Sequence, residues 1–270
     1  MLAVTRSPRW RLPSLSWPRG RGLAAVAGIA AVLVLSLAGA AAPRAVPAAR
    51  TRDAAPPRAA GRGVTRRTSC RSVAHIGDST SADLISSADL PDPAQQLPAR
   101  YADVGVRHLL IDASGGRSIV ETLPGQVNGY NVALSWWHEG YRGCWVFALG
   151  TNDAANVAAG SNVGMTARIQ EMMSVAHGEP VMWVNTVTQL GSGPYAEANE
   201  RLWDDTLVRA LAMYPNMRIF DWAAVAQPSW FLPDGIHYNS AGCAARAQDI
   251  ADALARAFPL HGRSGSPVVG

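Results

Sequence analysis

From Cys70 onward, short apolar runs alternate with stretches of helical period, and this alternation restricts the fold more than any other feature of the chain. Strands are expected at 71–76, 106–111, 144–149, 180–187 and 217–220, and helices around 127–139, 163–177, 195–213 and 241–258. In the last of these, Ile250, Leu254 and Ala257 recur on one face. Apolar runs without strict alternation suit strands covered on both faces, and the helices between them suit crossovers. The expected architecture is therefore a three-layer α/β/α sandwich around a five-stranded, mostly parallel sheet. In such sheets the chemistry lies beyond the carboxyl ends of the strands.

The polar residues collect where that rule places them. The first strand runs into Gly77-Asp78-Ser79-Thr80, and the second into Ser114-Gly115-Gly116-Arg117-Ser118. The third ends in Gly150-Thr151-Asn152-Asp153, and Pro233-Asp234-Gly235-Ile236-His237 precedes the final helix. A serine at a strand-to-helix turn faces outward-pointing N–H groups and the positive end of the helix dipole. Its hydroxyl attacks an acyl carbon only if a base takes its proton, and histidine is the usual base near neutral pH. The base in turn needs a carboxylate to fix its tautomer. Asp234 and His237 are close enough in sequence to share one loop, and Asn152 offers an amide donor for an oxyanion.

Taken together and in this order, the four blocks resemble those of the SGNH hydrolases, also called the GDSL esterase family, over roughly residues 71–258. The resemblance implies a flavodoxin-like fold and an acyl-enzyme mechanism without cofactor. It implies Ser79 as nucleophile, His237 as base and Asp234 as its partner. The oxyanion donors would be the Ser79 N–H, Gly116 (with Gly115 as fallback) and Asn152. Thr80 stands where many members carry leucine, a variable position. The reading has rivals: the acyl group could pass to a cell-envelope sugar hydroxyl instead of water, or the domain could bind envelope material without turnover. The expected substrate is a small ester or an acylated glycan or lipid.

Other residues have plainer readings. Asp78 is expected to cap the following helix, and Asp153 to start another. His75, His108, His138, His177 and His261 lack partners and receive no role. Trp136, Trp137, Trp145, Trp183 and Trp203 read as core, whereas Trp222 and Trp230, near the His237 loop, are candidates to line an acyl or sugar pocket. No Gly-x-Ser-x-Gly elbow is present, which disfavours the larger α/β-hydrolase fold. Neither Cys-x-x-Cys nor His-Glu-x-x-His occurs, and Gly191-Ser192-Gly193 is not followed by a dinucleotide fingerprint, so neither metal nor cofactor is expected.

Charge divides the chain in two. Residues 1–69 hold twelve arginines and one acid, Asp53, while residues 70–270 hold twelve arginines and nineteen acids. The folded part is thus acidic, which argues against nucleic acid as a partner. Residues 23–42 form an uncharged Ala, Val and Leu run behind the basic segment 1–22, near the roughly 20 residues that span a bilayer. The run is expected to be a membrane anchor, or else a signal peptide, and either would place the domain outside the cytoplasm. Residues 43–69, rich in Pro, Ala and Arg, read as a disordered linker, 70–260 as the hydrolase domain and 261–270 as a disordered tail. If the first and third strands are neighbours, as in the family's sheet, Cys70 and Cys144 meet at its amino-terminal edge. An exported domain can keep such a disulfide. Cys243, at the opposite edge, is expected to stay a free, buried thiol.

Overall fold

A computed structural model describes residues 66–270. Its six strands are β1 (Ser72–Gly77), β2 (His108–Ala113), β3 (Cys144–Ala148), β4 (Val181–Val184), β5 (Met217–Phe220) and β6 (Val268–Val269). They form one sheet in the order β2-β1-β3-β4-β5-β6. Every neighbouring pair is parallel. The helices are α1 (Ser79–Ala82), α2 (Leu97–Asp103), α3 (Gly129–His138), α4 (Thr151–Ala158), α5 (Met165–Ala176), α6 (Glu197–Ala210), α7 (Trp222–Val225) and α8 (Ser240–Ala257). The membrane or signal segment expected at 23–42, like most of the linker, lies outside the described residues. Among those described, no helix is long and apolar enough to cross a membrane.

Alternation along each strand feeds two apolar layers. Cys144, Val146 and Ala148 of β3, with Met182 and Val184 of β4, face α2 and α8 through Leu97, Tyr101, Ile250 and Leu254. Trp145 and Phe147, with Val181 and Trp183, face the other layer, formed by Val132 of α3, Ile169 and Met172 of α5 and Trp203 and Leu207 of α6. Burying one such large side chain stabilises the fold by about 1.5–3 kcal/mol relative to exposure. The layers therefore hold the sheet edge firmly. Trp145, Trp183 and Trp203 are fully buried, as core residues should be. Trp136 and Trp137 are only half-buried, and Trp137 stacks on His177 at 4.1 Å.

Three expectations need correction. The sheet has six strands, not five, because the supposed tail at 261–270 supplies β6. Ile219 N–H donates to the Pro267 carbonyl and Asp221 N–H to that of Val269, each at 2.8 Å. A strand of two residues among Gly, Ser and Pro is too short to show a period. The end of the supposed linker is likewise ordered: Thr68 bridges Pro259, and its hydroxyl donates to the Phe258 carbonyl at 2.8 Å. α2 was not expected, being a short helix directly after a polar loop, whereas α4, with Asp153 in its first turn, was anticipated.

Cys70 and Cys144 form a disulfide, and Cys243 is free and buried. The bridge closes a segment with a sequence separation of 74, so its main effect is to restrict the unfolded chain. A Cys70→Ser/Cys144→Ser double variant is expected to lose about 2–4 kcal/mol of stability. Urea unfolding should show this as a lowered midpoint with an unchanged final fold by circular dichroism at low temperature.

Candidate active site

The site begins with the turn after β1. Asp78 caps α1: its Oδ1 accepts the Thr80 N–H at 2.9 Å and the Thr80 hydroxyl at 2.8 Å. Burial pushes the Asp78 carboxyl up, opposed by the Thr80 hydroxyl and by the charge of Arg246. Arg246 reaches over from α8, and its Nη2 donates to the Thr80 hydroxyl at 3.3 Å. With Asp78 tied down in this way, Ser79 becomes the first residue of α1, half-buried, with its side chain free of the cap.

The partner loop is tight. Phe231 bridges Tyr238, and Leu232 N–H donates to the His237 carbonyl at 2.8 Å. Within it, Asp234 Oδ1 accepts the N–H groups of Ile236 at 2.9 Å and His237 at 3.0 Å. Its other oxygen, Oδ2, lies 2.7 Å from His237 Nδ1. Burial works against the charged form of Asp234, but the backbone N–H of Ile236 and the His237 ring and N–H together hold its carboxyl below the ordinary value. A carboxylate only accepts, so Nδ1 carries the proton and Nε2 is left as an acceptor. Ser79 Oγ lies 2.9 Å from Nε2 and donates to it, joining residues 158 apart in sequence. This is the geometry in which a hydroxyl can lose its proton to imidazole as it attacks.

Two further groups face the same edge. Gly116 sits in the turn after β2 with φ +70°, a conformation that L side chains rarely adopt, and a Cβ there would lie 2.7 Å from Leu123. The turn is closed by the Ser114 N–H to the Gly77 carbonyl and the Arg117 N–H to the Ser114 carbonyl, both at 3.3 Å, bonds that do not use the Gly116 N–H. Gly115 has open space about it. Asn152 lies in the first turn of α4, which starts directly after β3 because Gly150 takes φ +147° against the Trp203 indole. Asn152 Nδ2 donates to the Arg117 carbonyl at 3.0 Å, leaving its second N–H for another acceptor. Its Oδ1 accepts the Tyr195 hydroxyl at 3.0 Å.

Several residues that hold this arrangement carry no signal in the sequence. Tyr195 fixes which face of the Asn152 amide points outward, and its own carbonyl accepts the Thr188 hydroxyl at 2.7 Å. Arg117 clamps the end of β2, donating from Nη1 to the Asp112 carbonyl and from Nη2 to its carboxylate, both at 2.8 Å. Asp153, beside Asn152, is fully buried; it accepts the Ile119 N–H at 2.9 Å and Arg168 Nη1 at 2.8 Å. Arg168 continues to Glu121, which also accepts the Ser161 hydroxyl at 2.8 Å. No spacing rule links positions so far apart.

Trp222 is not a lining residue. It is fully buried, its indole N–H donates to the Tyr238 hydroxyl at 2.7 Å, and it lies under the Arg246 guanidinium at 5.0 Å. Trp230 is half-buried and stacked on Trp222 at 5.8 Å. His75, for which no role was expected, is buried between the Tyr101 hydroxyl at 2.9 Å and the Ser81 hydroxyl at 3.0 Å. Burial and then the Arg246 charge lower it to about 3, so it stays neutral. Among the described residues, no cluster of His, Cys, Asp and Glu could hold a metal ion.

No family model and no curated protein matches the chain. Solved structures do match it. A carbohydrate acetylesterase family member from Sinorhizobium meliloti is 17% identical and superposes with a TM-score of 0.53, covering 68% of this chain and 97% of its own. TesA is 18% identical with a TM-score of 0.52, covering 68% of this chain and 98% of its own. The likeness is one of fold: a parallel sheet flanked by helices, in the flavodoxin-like arrangement of the SGNH hydrolases.

On α6, Glu200 is buried and Asp204 half-buried. Burial pushes Glu200 up to about 9 and Asp204 up to about 8, although Asp204 accepts the Thr186 N–H at 3.0 Å. A carboxyl raised on folding holds a proton that the unfolded chain releases, so its contribution to stability is full below the unfolded value and is lost as pH rises through the folded one. Stability is therefore expected to fall between about pH 5 and pH 9. Glu200→Gln should flatten that slope, as read from urea midpoints across the range; an unchanged slope would place the protons elsewhere.

Proposed function

We propose that this chain, which has the SGNH-hydrolase fold, is a serine esterase working through an acyl-enzyme intermediate. The hydrogen-bonded series Ser79–His237–Asp234 at the carboxyl edge of the sheet carries the reading. Ser79 Oγ attacks the acyl carbon as His237 Nε2 takes its proton. Asp234, with Nδ1, keeps the ring oriented and stabilises the imidazolium. The carbonyl oxygen, now negative, is received by the N–H groups of Ser79 and Gly116 and by the free N–H of Asn152. His237 then returns its proton to the departing alcohol. Water, deprotonated by the same nitrogen, releases the acid.

The surroundings favour a short acyl chain on a bulky alcohol. Leu123 lies beside Gly116 and Leu190 beside Gly235, so apolar side chains flank the two loops that meet at Ser79. On the other side the site is open, since the His237 and Asp234 side chains are 32% and 47% exposed. An alcohol part such as a sugar can extend outward there. The same exposure gives water ready access to the base in the second half-reaction.

Export is part of the same proposal. It is supported by the apolar run at 23–42 behind a basic segment and by the Cys70–Cys144 bridge, since disulfides persist in oxidising compartments. A C-terminal alkaline phosphatase fusion, active only outside the cytoplasm, is expected to be active; an inactive fusion made in full would overturn this.

A graded series tests the chemistry on p-nitrophenyl acetate. Ser79→Ala should abolish turnover while leaving the circular dichroism unchanged. Asn152→Ala removes one oxyanion donor and should lower kcat by about 10²–10³. Tyr195→Phe keeps the ring but releases the amide, so kcat should fall by about tenfold with little change in KM. Full activity in Ser79→Ala would exclude the mechanism.

A further inference from the structure

Four arginines that the candidate site does not use meet at the other end of the sheet. Arg66, Arg67, Arg256 and Arg263, with Leu260 and His261, line a cavity of about 570 Å³. Backbone pairing builds it. Thr68 bridges Pro259, Leu260 N–H donates to the Arg67 carbonyl at 2.8 Å, and Ser69 N–H donates to that of Phe258 at 2.8 Å. Arg256 comes from the last turn of α8, and Gly265 returns the chain against its carbonyl, carrying Arg263 to the same rim. The cations are thus assembled by the fold from three separate segments.

No carboxylate lines the cavity, and none of the four guanidinia enters an ion pair among the described residues. Arg256 Nε is buried without an acceptor. Asp249, whose carboxyl feels the Arg256 charge along α8, makes no ion pair with it. The segment before Arg66 contains a single acid, Asp53. Like charges held together repel, and the repulsion is relieved when an anion enters between them.

We propose that this cavity binds a phosphate-bearing anion of at least two negative charges. Guanidinium forks match phosphate oxygens in bidentate fashion. A tetrahedral phosphate presents oxygens in several directions to cations converging from different segments, which a monocarboxylate does not. The site lies at the amino-terminal end of the sheet, away from Ser79. It stands independently of the esterase reading.

Inorganic pyrophosphate titrated into the full chain by calorimetry, at moderate salt, is the test. Saturable one-to-one binding is expected, and Arg256→Gln/Arg263→Gln should weaken it by about tenfold or more, the equivalent of losing a charge-assisted hydrogen bond. The exposed-loop variant Arg263→Gln alone should weaken it in the same direction, which guards against a folding defect in the double variant. Arg50→Gln/Arg52→Gln, which removes equal charge from the preceding segment, should leave it nearly unchanged. Absence of saturable binding, or equal loss in both double variants, would overturn the proposal. Vesicles containing phosphatidic acid assign the source: chain displaced from them by pyrophosphate points to a lipid headgroup, and pyrophosphate binding without vesicle binding points to a soluble anion.

Discussion

The pairing of β1 with β3 sets Gly77 opposite Ala148 and Val73 opposite Cys144, and both ends of the domain depend on that register. At the carboxyl edge it brings the turn carrying Ser79 beside the start of α4, where Asn152 sits. At the amino edge it brings Cys70 within bonding distance of Cys144. A slip of one residue would turn every side chain of β3 to the other face, exchanging Trp145 and Phe147 for Cys144 and Val146 between the two apolar layers. Because both layers are densely filled, that alternative is costly, and the register is firm. The site thus inherits its precision from the packing of apolar side chains well below it.

Above the sheet, buried polar groups hold the turns. Asp78, Thr80 and Arg246 tie α1 to α8, while Glu121, Arg168 and Asp153 tie the loop after β2 to α4 and α5. Such groups are costly to bury alone and are tolerated because each answers another. Their consequence is positional. α8 carries Arg246 to the nucleophile turn and follows directly on the loop of His237, so one helix couples the base to the serine it must meet.

The sequence pattern was enough to indicate alternating strands and helices, because buried parallel strands must be apolar and their crossovers must be amphipathic. It also put Ser79 and Asn152 in polar blocks at strand ends and Asp234 and His237 on one loop before the last helix, while the choice of Gly116 came from the family resemblance alone. Asp234 and His237 were the most legible, since three residues apart on one loop suffices for their contact. β6 was not legible, because two residues cannot show a period and only the exposed edge of β5 gives them a partner. Trp222 misled for a related reason: nearness in sequence to His237 does not say which way an indole points.

Composition, apolar periodicity and local spacing were therefore determined by the sequence alone, since each depends on residues within a few turns of one another. What only the tertiary structure decided was every contact between distant segments. The hydroxyl of Tyr195 on Asn152, the Arg117 carbonyl on the same amide and the Arg246 charge beside Asp78 all arise from chain crossings that no local rule encodes. The physical reason is that a hydrogen bond is satisfied within about 3 Å. Which groups come that close depends on the packing of whole layers, not on the residues themselves.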